Sequence, residues 1–227
     1  MTRIPKDLKN KPSGSYSRLF GNEDLGFLMS RVHSASIKSG NDLELLITNR
    51  IEKIDDLDAF LSKKIMPDGV LLATKKQIKE SKRLNGEGSE PDFMIFKRRE
   101  GRQHCYVVEL KDGYSFDTKK AQAERDRLHR FVEKTARRIP YVTSTHFCTF
   151  NESDHQVIWN GFKRKIKLEE AMTGKEFCEL LEINYDEIVE IRTGDAEYNT
   201  QYFLTEILNI PKFKERIEII LEQMNKS

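Results

Sequence analysis

Pro91-Asp92-Phe93-Met94-Ile95-Phe96, followed by Tyr106-Val107-Val108-Glu109-Leu110-Lys111, decides how this chain is read. The two segments are short apolar strands joined by the basic turn Lys97-Arg98-Arg99-Glu100-Gly101-Arg102. Side chains alternate along a strand, so Glu109 and Lys111 share one face while Val108 and Leu110 share the other. Antiparallel pairing across the turn brings Asp92, at the head of the first strand, close to them. Two carboxylates and one ammonium then meet at the open end of a hairpin. Such a group is a cradle for a divalent cation, with a lysine beside the water to be activated. The plainer reading of the same residues is an edge hairpin carrying a solvated Glu/Lys pair.

Pro91-Asp92 and Glu109-Leu110-Lys111 resemble the signature of the PD-(D/E)xK nucleases, and the chain as a whole resembles a type II restriction endonuclease. The resemblance is best over roughly residues 40–150. It implies an α/β fold with a restriction-endonuclease-like core, a mixed β-sheet flanked by helices, and a mostly helical C-terminal part. It further implies Mg²⁺ held by Asp92, Glu109 and the backbone carbonyl of Leu110, with Lys111 acting on the attacking water and the scissile phosphate. Two more residues follow from it. Glu44, early on a helix, matches a glutamate that helps hold the metal or orient its water. Gln122, early on the helix after the motif, matches a polar residue often found near the active site. A first-turn glutamate favoured by the helix dipole explains Glu44 equally well.

The implied reaction is hydrolysis of double-stranded DNA at a short palindromic site, leaving 5′-phosphate and 3′-hydroxyl ends. A two-fold homodimer would meet such a site. The overall length and the C-terminal helices resemble the branch that cuts GANTC. Two other readings stay open: another nuclease on the same core, such as a Holliday-junction resolvase or repair endonuclease, and a non-catalytic DNA-binding protein. Asp68, in Met66-Pro67-Asp68-Gly69, is a rival Pro-Asp.

Working outward, three regions are expected: a basic flexible arm over 1–20, the nuclease core over 21–165, and a helical C-terminal subdomain over 166–227 for DNA recognition or dimerisation. Leu25, Leu28, Met29 and Val32 recur at helical spacing behind Asn22, a good N-cap. Ser39-Gly40 predicts a break, then a second helix to about Lys64. A short strand is expected at Val70–Leu72, a polar helix over 74–83 and a turn-rich loop over 85–89. Asp117 predicts the cap of a long helix ending before Pro140. Strands are expected at 142–150 and 156–159. Thr173-Gly174-Lys175-Glu176 is a capping box, and helices are expected over 186–191, 197–208 and 211–224.

Composition narrows the class. Of 227 residues, 33% are charged and 37% apolar, which suits a globular chain. No run is long and apolar enough for a membrane span, and Met1–Lys6 leads into a polar stretch rather than a signal core, so a cytoplasmic protein is expected; the resemblance implies a bacterial or archaeal one. Cys105, Cys148 and Cys178 are far apart, with no C-x-x-C pair, and read as reduced core thiols. The net charge is only +2, but basic residues cluster at 97–102, 119–138 and 163–167, which fits one phosphate-facing side. The sequence lacks H-E-x-x-H, a Walker loop and G-x-S-x-G, which sets aside zincins, P-loop NTPases and α/β-hydrolases.

Overall fold

The hairpin forms, and the sheet is built around it. A computed structural model of the chain describes residues 2–6, 14–63, 65–84, 88–113 and 116–225. Its five-stranded sheet takes the order β1 (Gly69–Thr74), β2 (Phe93–Arg99), β3 (Arg102–Lys111), β4 (Val142–Thr149) and β5 (Ala171–Thr173). β1, β2 and β3 are antiparallel neighbours, whereas β4 and β5 continue from β3 in parallel. Phe93 pairs with Val108, so Asp92 precedes β2 opposite Glu109. β3 lies at the centre, flanked on both sides, and its buried run Val107-Val108-Glu109-Leu110 reads as a central strand should.

The described residues group into two compact units, Leu43–Tyr185 and Met1–Asp42 with Asp186–Ser227. The first unit holds the sheet. Its core joins Met94, Phe96, Cys105, Val107 and Phe147 of the strands to α3 (Leu57–Ser62), α4 (Lys75–Glu80), α5 (Thr118–Thr135) and α6 (His155–Gly161). α5 buries Ala121, Leu128, Phe131 and Thr135 on one stripe, and Asp117 caps it by accepting from the Lys120 amide at 2.8 Å. α7 (Gly174–Leu181) starts from the expected capping box: Thr173 accepts from the Glu176 amide, and the Glu176 carboxylate accepts from the Thr173 amide at 2.9 Å. All three cysteines are buried and free.

The sheet-bearing unit departs from expectation at residues 156–159. Gln156-Val157-Ile158-Trp159 is helical, inside α6, because Asp154 caps it through the Gln156 amide at 2.7 Å. The Trp159 indole then donates to the Ile166 carbonyl at 2.9 Å. Of the expected loop over 85–89, residues 85–87 lie outside the described residues.

The second unit is helical. α1 (Ser15–Phe20) is followed by α2 (Glu23–Thr48), which begins in this unit and ends in the other. α2 does not break at Ser39-Gly40. Gly40 costs a helix about 1 kcal/mol, but Leu28, Ala35, Leu43 and Ile47 are buried on both sides of it and hold the helix together. α8 (Tyr185–Leu208) likewise runs through 192–196 as one helix rather than two. Asn22 caps α2 through the Leu25 amide at 2.8 Å. Pro211 opens α9 (Pro211–Met224).

The expected arm is anchored at its start. Buried Asp195 accepts from the Thr2 amide at 2.8 Å and from Arg3 Nε at 3.1 Å, and Asn199 accepts from the Ile4 amide at 2.8 Å. Residues 7–13 of that arm lie outside the described residues.

Candidate active site

Several elements of the sheet-bearing unit converge at the C-terminal end of β3. β2 and β3 supply Asp92, Glu109 and Lys111. The junction of β1 and α4 supplies Lys75, whose amide donates to the Asp92 carbonyl at 2.9 Å. α5 supplies Glu124 and Arg127, and the C-terminal part of α2 supplies Glu44.

Asp92 is fixed by two contacts. Its Oδ2 accepts from the Leu110 amide at 2.9 Å, and its Oδ1 accepts from Lys75 Nζ at 2.9 Å. The first bond locks the head of β2 to the end of β3. Continuing the register places Pro91 opposite Leu110. Proline brings no N–H to the Leu110 carbonyl, which suits that oxygen to a role as a backbone ligand.

Glu109 is almost fully buried and sits in a closed ring of alternating charge. Its Oε1 lies 2.7 Å from Lys111 Nζ, and its Oε2 lies 2.5 Å from Arg127 Nη2. Glu124 closes the ring, 3.2 Å from the same Lys111 Nζ and 3.0 Å from the same Arg127 Nη2. The other terminal nitrogen of Arg127 donates to the Glu90 carbonyl at 2.6 Å, so one guanidinium ties α5 to the approach of β2.

The acids compete for the available positive charge. Burial, reinforced by the Asp92 charge, pushes Glu109 up to about 7 despite the pull of Lys111 and Arg127. Burial and Asp92 also raise Glu44, against Lys75 and Lys111. Burial works to lower Lys111, but the Glu109 and Glu124 carboxylates outweigh it and hold the ammonium above its ordinary range. Burial likewise opposes the charge on Glu124, yet Lys111 and Arg127 bring that carboxyl below its usual value.

Burial and the Asp92 charge raise both Glu109 and Glu44, and acids crowded in this way fit a hard divalent cation. Asp92, Glu109 and the Leu110 carbonyl are the donors expected from the sequence, and they lie together at the end of β3. Among the described residues no group of three His, Cys, Asp or Glu is set to enclose a metal.

No family model matches the chain, and no solved structure matches it. It is 41% identical over 225 residues to the type II restriction enzyme HhaII of Haemophilus parahaemolyticus, covering 96% of this chain and 99% of that one. The chain belongs to the type II restriction endonucleases. It is therefore a site-specific deoxyribonuclease, a DNA-binding hydrolase of a restriction system.

In this endonuclease the geometry sorts the sequence candidates. Asp92, Glu109, Leu110 and Lys111 come together, and Glu44 stands close enough to feel Asp92, Lys75 and Lys111. Gln122 does not join them. At 100° per residue it is turned about 160° from Glu124 on α5, and its amide donates to Asp126 at 2.7 Å. The inward polar position on α5 belongs to Glu124. Asp68, the rival Pro-Asp, is exposed at the far end of β1 and pairs with Arg98 at 3.3 Å. Glu124, Arg127 and Lys75 escaped sequence reading. The first two are spaced i, i+3 beside the buried stripe of α5, a signal hidden by the charged residues all around that helix.

Proposed function

We propose that the enzyme is a member of the PD-(D/E)xK superfamily that hydrolyses double-stranded DNA with Mg²⁺ at a short palindromic site, leaving 5′-phosphate and 3′-hydroxyl ends. The observation that carries this is the meeting of Asp92, Glu109 and Lys111 at the end of a central strand, with Asp92 Oδ2 bonded to the Leu110 amide. Asp92, Glu109 and the Leu110 carbonyl would hold the cation, and Glu44 would assist from α2. When bound, the cation supplies positive charge against the phosphate oxygens and acidifies an attacking water.

The remaining work falls to the chain. Lys111, kept as an ammonium by Glu109 and Glu124, orients the water and offsets charge growing on the scissile phosphate. Arg127 holds Glu109 and the Glu90 carbonyl in register, so that both strands present their carboxylates together. Lys75 neutralises part of the Asp92 charge. A homodimer would match the two-fold symmetry of the site, with GANTC as the target carried over from the resemblance. The helical C-terminal part serves recognition or dimerisation. The cytoplasm is the proposed compartment, in keeping with the absence, among the described residues, of any helix long and apolar enough to cross a membrane.

Digestion of a long defined DNA by purified protein with Mg²⁺, followed by sequencing of the fragment ends, tests the proposal. Discrete fragments ending at one palindrome, lost in EDTA, support it. Cleavage confined to junctions or DNA ends would replace it with a resolvase or exonuclease.

A further inference from the structure

α9 carries an apolar stripe that its own unit covers only in part. Phe213, Ile217, Ile220 and Leu221 recur at i, i+4, i+7 and i+8 along one face. Phe213 packs, half-buried, against the small core of Leu25, Leu28 and Ile210. Toward the C-terminus the cover ends: Ile219, Ile220 and Leu221 are 49%, 53% and 54% exposed, and no residue of α9 is buried. Water-facing isoleucine and leucine in such a row mark a contact surface.

The charges of α9 say what fits there. Its N-terminal half carries Lys212, Lys214 and Arg216 against Glu215 alone, and its C-terminal half carries Glu218 and Glu222. This order opposes the helix macrodipole, which favours acids at the N-terminus and bases at the C-terminus. The helix is thus poorly matched to itself. An antiparallel copy would set the basic half of each against the acidic half of the other, oppose the two dipoles and cover both stripes.

We propose that α9 is the two-fold dimerisation helix of this endonuclease and that its occupant is α9 of a second copy, antiparallel. This rests on the homodimer of the proposed function and adds the surface that forms it. A helix pair about 21 Å long, at 1.5 Å per residue, falls short of the roughly 800 Å² per partner of a standard interface. The same helical unit exposes further apolar surface at Leu204 and Leu208 of α8.

Light scattering coupled to size-exclusion chromatography, on the full chain at about 20 μM and after tenfold dilution, reads the result. The unmodified protein should elute as a dimer and Ile220→Glu/Leu221→Glu as a folded monomer, with circular dichroism as the control. A charge-reversal pair makes the orientation testable. Lys212→Glu/Lys214→Glu and Glu218→Lys/Glu222→Lys should each weaken self-association at least tenfold, and their equimolar mixture should form heterodimers. A dimer that survives every variant overturns α9 as the interface and leaves the homodimer intact. Variants that stay dimeric but lose DNA binding would make α9 a DNA contact instead. Failure of the charge-reversed mixture to recover overturns the antiparallel pairing. A monomeric unmodified protein, with and without DNA, overturns the homodimer itself.

Discussion

Glu124 and Lys111 are held 3.2 Å apart between α5 and the end of β3, while Lys111 also lies 2.7 Å from Glu109. Two carboxylates thus share one ammonium. If Glu109 turns to a cation, Glu124 is the anchor that keeps Lys111 in place. Glu124→Gln should therefore lower the single-turnover cleavage rate by roughly tenfold, about 1.4 kcal/mol, with little change in DNA affinity. Rapid-quench kinetics beside gel-shift titrations in Ca²⁺ separate the two effects. A loss of affinity with an unchanged rate would assign Glu124 to DNA binding instead.

Glu109 is costly to keep ionised. Its folded value of about 7 lies above its ordinary 4.5, so the folded state holds the extra proton between those limits and stability is lost as pH rises through them. Glu109→Gln removes that penalty. The variant should be inactive yet melt higher than the unmodified protein at pH 8, by at most about 3 kcal/mol, and the gain should vanish below about pH 4.5. Melting curves at pH 8 and 4.5 decide it. Equal or lower stability at pH 8 would mean that Lys111 and Arg127 fully compensate the buried charge.

Hairpin and motif were legible because they are local. Apolar runs, a basic turn and the Pro91-Asp92 and Glu109-Leu110-Lys111 spacings sit within one stretch, and the alternation of faces follows from strand geometry alone. The partners that tune the site were not. Lys75 meets Asp92 only because Thr74 pairs with Phe93 across β1 and β2. Glu124 and Arg127 belong to a helix with charge on every exposed face, so nothing in their spacing singled them out from Gln122. At 156–159, Val, Ile and Trp favoured a strand, and the Asp154 cap decided for a helix. At Gly40, burial on either side and helical continuity prevailed over the local breaker.

His146 gives a second pH dependence, of opposite sign. Burial first, then the nearby His104, lowers its pKa below 6.5. The unfolded chain takes up this proton before the folded one, so stability falls as pH drops from 6.5 toward the folded value. Urea titrations should show the unmodified protein losing stability relative to His146→Asn over that window, at no more than about 1.4 kcal/mol per pH unit. A constant difference between the two would place His146 outside the titration.

Gly174 is fixed by space rather than by φ. A Cβ there would collide with the Phe150 backbone at the end of β4, which has little room to give. Gly174→Ala should destabilise the sheet-bearing unit by about 2 kcal/mol or more, read as a lower urea midpoint. An unchanged midpoint would mean that α7 shifts freely along β4.

The catalytic assignment meets its most direct test in one comparison. Single-turnover cleavage of a duplex carrying the recognition site, in Mg²⁺, is measured for the unmodified enzyme, Asp92→Asn and Lys111→Ala, with DNA binding followed in parallel. The site built from Asp92, Glu109 and Lys111 predicts losses of roughly a thousandfold or more for both variants, with DNA binding retained. Cleavage by either variant within a few-fold of the unmodified rate would place the chemistry elsewhere on the chain.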